Sequence, residues 1–225
     1  MKKTFNIQAV AVLLLIGGAI SAATAQNTSE SFIVSWKTEA YAPDSFTGKV
    51  LPTERTMINI AFEILRNGKL VDLSSKKIRW FVNDSIVSDK TGENSLSLPA
   101  RGHIGTSVAV RIAIIGVGEP TRIHEFSIPI VPPEVVIQPL THPTERTLVF
   151  EALPFSFNIK SVGELSFDWS ANGIKALGSP NSPERLVVEL PEESPAGGSL
   201  ALDLVTIGNT MLRESASTKL YYVLK

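Results

Sequence analysis

The stretches "LPTERTMINIAFEIL", residues 51–65, and "HPTERTLVFEALPFSFNI", residues 142–159, both place Pro-Thr-Glu-Arg-Thr directly before a run of apolar side chains. Within each run apolar residues recur at every second position, the spacing that puts them on one face of an extended strand. Ile58, Ile60, Phe62 and Ile64 share a face after the first pentapeptide, and Phe155, Phe157 and Ile159 after the second. The pentapeptide joins a residue that cannot donate to a sheet with polar residues suited to a turn, so it marks the start of a strand. Its duplication predicts the same strand in two copies of one small β domain.

Further matches follow in order on the C-terminal side of each pentapeptide. "KIRWFVND" faces "LSFDWSANG", aligning Trp80 with Trp169, and "SLSLPARGHIGTSVAVRIAIIG" faces "LVVELPEESPAGGSLALDLVTIG", aligning Pro99 with Pro191 and Gly116 with Gly208. A period of roughly ninety residues is too long for a solenoid repeat and suits one complete domain per copy. Alternation continues in Ile78, Trp80 and Val82, in Val108, Val110, Ile112 and Ile114, and, in the second copy, in Leu165, Phe167 and Trp169, then Leu186, Val188 and Leu190, then Leu200, Leu202 and Leu204. Asn172-Gly173 is a preferred pair for a tight hairpin because both residues tolerate positive φ, and Asn83-Asp84 occupies the equivalent place. Pro154 interrupts the strand that opens the second copy, which predicts an edge position or a bulge. About seven short strands per copy, with turn signals every ten residues or so, predict an all-β chain of two tandem antiparallel sandwiches. The expected domains are residues 26–133 and 134–225, joined through "IPIVPPEVVIQPL", where Pro132 and Pro133 favour an extended, semi-rigid connection.

Residues 1–25 read differently. Lys2 and Lys3 precede the apolar "AVAVLLLIGGAISAATA", and Ala23-Thr24-Ala25 has the small-x-small form of a signal-peptide cleavage site, so export with a cut before Gln26 is expected. Retention of this segment as an N-terminal anchor is the other reading, and no further membrane contact is expected. The destination is a periplasm, the extracellular medium or a cell surface. The chain has no Cys, so a core in a compartment that permits disulfides is held by packing alone. Loss of Lys2 and Lys3 with the signal leaves 19 basic against 22 acidic side chains, a net charge of −3. That mild acidity excludes the electrostatic footprint of a nucleic-acid or anionic-lipid binder.

With Trp80 and Trp169 each on the third major strand of its copy, the pattern resembles the immunoglobulin-like and polycystic-kidney-disease-like domains of bacterial exported proteins, which bury such a Trp between their sheets. The resemblance covers both halves and implies a scaffold or interaction role. The cystine that antibody domains pack against this Trp is missing.

Several strings imitate catalytic motifs. Ser74-Ser75-Lys76-Lys77 satisfies S-x-x-K and Lys90-Thr91-Gly92 satisfies K-T-G, two elements of the penicillin-recognising enzymes. Those elements work where a helix start presents the Ser to its Lys; here both flank a strand and a hairpin and read as solvated turns. Gly116-Val117-Gly118 follows a strand, but Glu119-Pro120 stands where a phosphate cradle needs a helix N-terminus, so a hairpin turn is expected. His103, His124 and His142 lie in separate loops or strand starts, never at zinc-ligand spacing, and read as surface residues. Asp84, Asp89 and Glu93 crowd one hairpin without the dense acidic ladder of a calcium loop. Glu192 and Glu193 read as loop charge, because paired carboxylates act as acid and base only in a cleft that shifts one of them. The chain is therefore expected to be non-enzymatic, with no catalytic residue, cofactor or metal.

The segment least explained by the repeat is "SFIVSWKTEAYAPDSFTGKVLP", residues 31–52, longer than its counterpart "EVVIQPLTHP". Trp36, Tyr41 and Phe46 are the candidate partner-binding residues, as an exposed aromatic patch. The structural alternative is a first strand over 32–36 followed by a loop whose aromatics cover one end of the sandwich. The expected function is an exported structural or interaction module with an envelope or surface protein as partner, in a cell-surface or pilus-like assembly. A carbohydrate-binding module using Trp36 and Tyr41 is one alternative. A periplasmic pilus-type chaperone is another, although such chaperones use a basic cleft between domains and this chain is acidic.

Overall fold

The computed structural model describes residues 30–116, 120–192, 197–210 and 212–224. The expected signal peptide, Val117 and Gly118 of the glycine turn, and Glu193 lie outside the described residues. Seven major strands and one short one make the first unit: β1 (Glu30–Thr38), β2 (Met57–Arg66), β3 (Lys69–Leu70), β4 (Lys77–Val82), β5 (Ser85–Thr91), β6 (Ser95–Pro99), β7 (Ser107–Ile115) and β8 (Arg122–Pro129). The second unit has β9 (Glu134–Pro139), β10 (Thr147–Phe155), β11 (Leu165–Ala171), β12 (Ile174–Ala176), β13 (Arg185–Glu189), β14 (Ser199–Gly208) and β15 (Ser215–Val223).

Strand β2 is flanked by β1 on one side and by β6 and the short β3 on the other, and the second sheet runs β5-β4-β7-β8. In the second unit the sheets are β13-β10-β9 and β12-β11-β14-β15. In both, the first, second and fifth major strands form one sheet and the third, fourth, sixth and seventh the other, with antiparallel pairing throughout. Both units are immunoglobulin-like sandwiches. The fourth strand joins the sheet of the third and sixth, unlike the antibody constant-type arrangement.

Each sandwich has its own core. Ile58, Ile60, Phe62 and Ile64 of β2 close on Ile78, Trp80 and Val82 of β4 and on Val108, Val110, Ile112 and Ile114 of β7. Leu148, Phe150 and Ala152 of β10 close on Trp169, Leu200, Leu202 and Leu204. Trp80 and Trp169 are buried, and each indole N–H has a carbonyl partner: Glu93 O at 2.9 Å and Pro183 O at 3.1 Å. Both indole donors are therefore satisfied, the condition under which a Trp can be buried whole.

The repeat holds at the tryptophans and glycines but slips elsewhere. Trp80 stands opposite Ile112 and Trp169 opposite Leu204, four residues before Gly116 and Gly208. The two pentapeptides, in contrast, are one residue out of phase. Ile58, two residues after Thr56, is the first fully buried residue of β2, whereas Leu148 directly follows Thr147. Pro99 pairs with Met57, and the corresponding Thr147 pairs with Glu189, so Pro191 falls two residues beyond the place expected for it. The turn lies at Glu54-Arg55 in the first copy, where Arg55 has φ +64°, and at Pro143-Thr144 in the second. The slip changes the place of the final threonine: Thr56 is buried in phase with Ile58 and Ile60, whereas Thr147 is exposed.

Phe155, Phe157 and Ile159 do not share one strand face. Phe155 ends β10 pointing away from the core, and Ser156 at φ +60° reverses the phase, so that Phe157 and Ile159 are buried in a small cluster with Leu165. Pro154 pairs with Val135 of β9 beyond the last β10–β13 pair, Glu151 with Arg185, so its missing N–H faces no neighbouring strand. Asn172-Gly173 (φ +51°, +78°) and Asn83-Asp84 (φ +47°, +63°) make the tight hairpins their composition predicts, and Asn67-Gly68 (φ +51°, +75°) makes a third between β2 and β3.

Candidate binding surfaces and the domain junction

Segment 39–52 leaves the first sandwich and reaches the second. Tyr41 donates its N–H to Phe157 O at 2.8 Å and accepts from Ser156 N–H at 2.8 Å, an isolated antiparallel bridge between the units. Burial of the Tyr41 phenol, with Asp44, Glu184 and Glu151 nearby, pushes it above its usual range. Phe46 packs edge-on against Phe155 with ring centroids 5.3 Å apart. Its ring also folds back over Gly48, where a Cβ would collide with it. Trp36 lies on β1, half-buried against the first core, with Lys49 Nζ 3.5 Å from its ring centroid. The three aromatics are thus divided: Tyr41 and Phe46 contact the second sandwich, while Trp36 packs on the first.

The connection at Pro132-Pro133 is held too. Ile130 N–H donates to Thr106 O and Val131 N–H to Pro52 O, both at 2.9 Å, while Ile130 is buried in the first sandwich and Val135 in the second. Beside this connection Thr53, Glu54, Arg55, Ile104, Pro133 and Glu214 line a cavity of about 430 Å³. Glu54 Oε1 accepts Ile104 N–H at 3.0 Å, and His103 Nδ1 lies 3.6 Å from it. Glu54 therefore pairs across its own sandwich and not with Arg55. Arg146 pairs with Glu192 at 3.2 Å on the surface.

Glu214, in the loop before β15, crosses the junction. Its Oε2 accepts Asn158 N–H at 2.7 Å and the buried Thr53 hydroxyl donates to the carboxylate, while Oε1 is enclosed without a partner among the described residues. Burial, together with the charge of Glu54, raises it above the ordinary glutamate value of 4.5, outweighing the two hydrogen bonds. The folded chain therefore holds this proton more tightly than the unfolded chain, and stability falls as pH rises through the window above 4.5. Asp72, Asp89 and Glu93 are lowered instead, so they reduce stability only in more acid solution. Thermal melts between pH 4.5 and neutrality should show wild-type stability increasing as pH falls, and Glu214→Gln should flatten that slope; an unchanged slope in the variant removes Glu214 as its source.

The outer faces of the two smaller sheets both mix polar and apolar side chains, the first exposing Ile33 and Leu70 beside its polar rows. On the first, cross-strand rows read Lys37, Asn59, Ser97 and Ser35, Ala61, Ser95, lining an open concavity of about 580 Å³. On the second they read Leu140, Val149, Val187, then Gln138, Glu151, Arg185, then Val136, Leu153.

The strings that imitate catalytic motifs are neighbours in space. Lys77 stands opposite Thr91 in the β4–β5 hairpin, and Gly92 N–H donates to Lys76 O at 2.9 Å. Their side chains serve the surface: the Ser74 hydroxyl donates to Asp72, Lys77 pairs with Asp89 at 3.2 Å and Lys90 with Glu93 at 2.9 Å. Asp89 also meets Arg79 at 2.9 Å, so the hairpin carboxylates are engaged by cations; Asp84 lies 4.0 Å from Arg111. Among the described residues no three His, Asp or Glu side chains are placed to hold a metal. His124 differs from the sequence reading. It lies within β8, half-buried, stacked on Phe32 at 4.6 Å where β1 and β8 approach across the open side of the sandwich. His142 stays in its loop beside Thr144. No helix among the described residues is long and apolar enough to cross a membrane.

No family model matches the chain, and no curated protein matches it. Among solved structures it is similar to fibronectin(III)-like modules of Clostridium thermocellum CbhA, with 10% identity, a TM-score of 0.30, and coverage of 85% of this chain and 94% of that one. It is similar also to three N-terminal domains of the bacteriophage RB49 highly immunogenic outer capsid protein, with 11% identity, a TM-score of 0.43, and coverage of 87% and 59%. A third is SGBP-B of a Bacteroides ovatus mixed-linkage glucan utilization locus in complex with a heptasaccharide, with 11% identity, a TM-score of 0.25, and coverage of 89% and 71%.

Proposed function

We propose that the chain is a non-enzymatic, exported structural or interaction module, a two-sandwich unit that serves an envelope or cell-surface assembly of the pilus-like kind. The observation that carries this reading is the junction. The longest irregular segment ties one sandwich to the other through the Tyr41–Phe157 bridge and the Phe46–Phe155 contact. A fixed joint between two scaffold domains serves presentation of surfaces, as in an assembly subunit. The ionisable groups that chemistry would use support the same reading, since those of the β4–β5 hairpin sit in exposed ion pairs. The junction cavity carries Glu54 and Glu214 against the one guanidinium of Arg55, a poor match to the basic cleft of a pilus-type chaperone. The test is photo-crosslinking in the native envelope from outward positions on opposite sides of the molecule, such as Ile86 on β5 and Tyr221 on β15, which are 56% and 68% exposed. Discrete protein adducts are expected; their absence from every such position rejects the reading.

A glycan-binding role is the second reading, favoured by the hydroxyl- and amide-lined concavity on the β1-β2-β6 sheet. Ala61 forms its floor, between Ser35 and Ser95. Binding on a glycan array that Ala61→Lys abolishes supports it, and an array without hits dismisses it.

A further inference from the structure

We propose that the joint between the sandwiches is a proton-sensitive clasp, held tightest while the Glu214 carboxyl is neutral and loosened when Glu214 and Glu54 carry charge together. Two kinds of contact close the joint. The Tyr41–Phe157 bridge and the Phe46 ring on Phe155 involve no group that changes charge between pH 4.5 and neutrality, since the Tyr41 phenol is pushed above its ordinary value of 10.0. The second kind is Glu214. It stands in the second sandwich, where its Oε2 accepts Asn158 N–H at 2.7 Å. From there it reaches across to the first, whose buried Thr53 hydroxyl donates to the same carboxylate.

Glu214 Oε1 is what makes this contact depend on protons. It is enclosed without a partner among the described residues, so an ionised carboxylate in the closed joint leaves one oxygen with no donor, a costlier state than a neutral carboxyl. The surrounding charges do not compensate. Glu54 and Arg55 enter the same cavity from the turn before β2. Glu54 acts on Glu214 as a like charge, and Arg55 pairs with neither carboxylate among the described residues. His103, from the loop before β7, lies 3.6 Å from Glu54. On the second sandwich Glu164 Oε1 accepts the N–H groups of Lys160 and Ser161, and the Lys160 and Arg213 side chains are exposed. Thr53, Glu54 and Ile104 belong to the first sandwich, so the repulsion and part of the burial exist only while the joint is closed. The closed joint therefore binds the Glu214 proton more tightly than the open one. It is favoured in acid and weakened as pH rises through the window above 4.5.

Distances between labels on the two sandwiches test the assignment. The chain contains no Cys, so Ile86→Cys with Tyr221→Cys gives one spin-labelled pair that spans the joint. Ile33→Cys with Ile86→Cys gives a pair inside the first sandwich, and all three positions are exposed. Double electron–electron resonance of the spanning pair is expected to show a narrow distribution at pH 4.5 that loses its narrow component towards pH 7.5, while the internal pair stays unchanged. Glu214→Gln, neutral at every pH, should keep the narrow component at pH 7.5, and Glu54→Gln should retain more of it than the wild-type side chain does. His103→Asn controls for the imidazole and should leave the transition in place. A spanning distribution of constant width from pH 4.5 to 7.5 overturns the proposal. So does broadening that persists in Glu214→Gln, that His103→Asn abolishes, or that the internal pair shares. Circular dichroism checks the fold of each variant; should Glu214→Gln unfold, Glu54→Gln decides, and a transition it leaves unchanged overturns the clasp. The inference goes beyond the proposed function, which needs the joint but not its response to protons. The labels are read on the chain without any envelope partner, so failure here leaves the crosslinking test of function standing.

Discussion

Trp80→Ala is expected to unfold the first sandwich selectively. Trp80 is fully buried, lies edge-on to Phe62 at 5.5 Å, and donates to Glu93 O at 2.9 Å. Truncation removes the ring, leaves a void that the surrounding Ile and Val side chains fill only partly, and strands the Glu93 carbonyl. Large aromatic truncations of this kind cost about 3–5 kcal/mol, and the stranded acceptor adds about 1 kcal/mol or more. Against a domain stability of roughly 5–15 kcal/mol that is a large fraction. Because the two cores are separate clusters, guanidinium unfolding of the variant should split into two transitions. The one followed by Trp169 fluorescence should stay near its wild-type midpoint. One cooperative transition, shifted as a whole, would show that the sandwiches do not unfold independently.

Tyr41→Pro combined with Phe46→Ala should loosen the junction while leaving each sandwich folded. Proline removes the N–H that Phe157 O accepts, and alanine removes the ring packed on Phe155. One hydrogen bond at about 1 kcal/mol and one aromatic pair at about 1 kcal/mol beyond its burial together correspond to roughly a 30-fold shift toward an open junction. Limited proteolysis near Pro132 and Pro133 should accelerate by that order, and the small-angle scattering distance distribution should broaden. Wild-type scattering and wild-type cleavage in the double variant would show that the bridge and the ring do not set the joint.

Sequence alone reveals the sandwich fold wherever one face is buried and the other wet. The β2 series, the β4 tryptophan and the β14 leucines alternate cleanly because a period of two is the only way to satisfy both faces. The second copy of the opening strand is harder to read for two reasons. Its outer face is itself apolar at Val149 and Leu153, so alternation vanishes from the text, and the backbone reversal at Ser156 changes the phase in mid-run. The pentapeptide that exposes the duplication is packed differently in its two copies, with Thr56 buried and Thr147 exposed, so identical letters do not mark identical positions. The junction was visible only as a surplus of aromatics in residues 31–52. Nothing local in Tyr41 or Phe46 distinguishes a ring awaiting a partner from one already seated against the same chain. Glu214 carried no signal at all, since its burial depends on Thr53, which is far away in the sequence.

The Tyr41–Phe157 bridge also fixes an order of events. Tyr41 emerges 116 positions ahead of the residue that receives it, and in a chain made from its N-terminus the strands of the first sandwich are all present before this loop has anything to grip. Closing of the joint is a unimolecular contact of high sequence separation, and it needs both sandwiches in place.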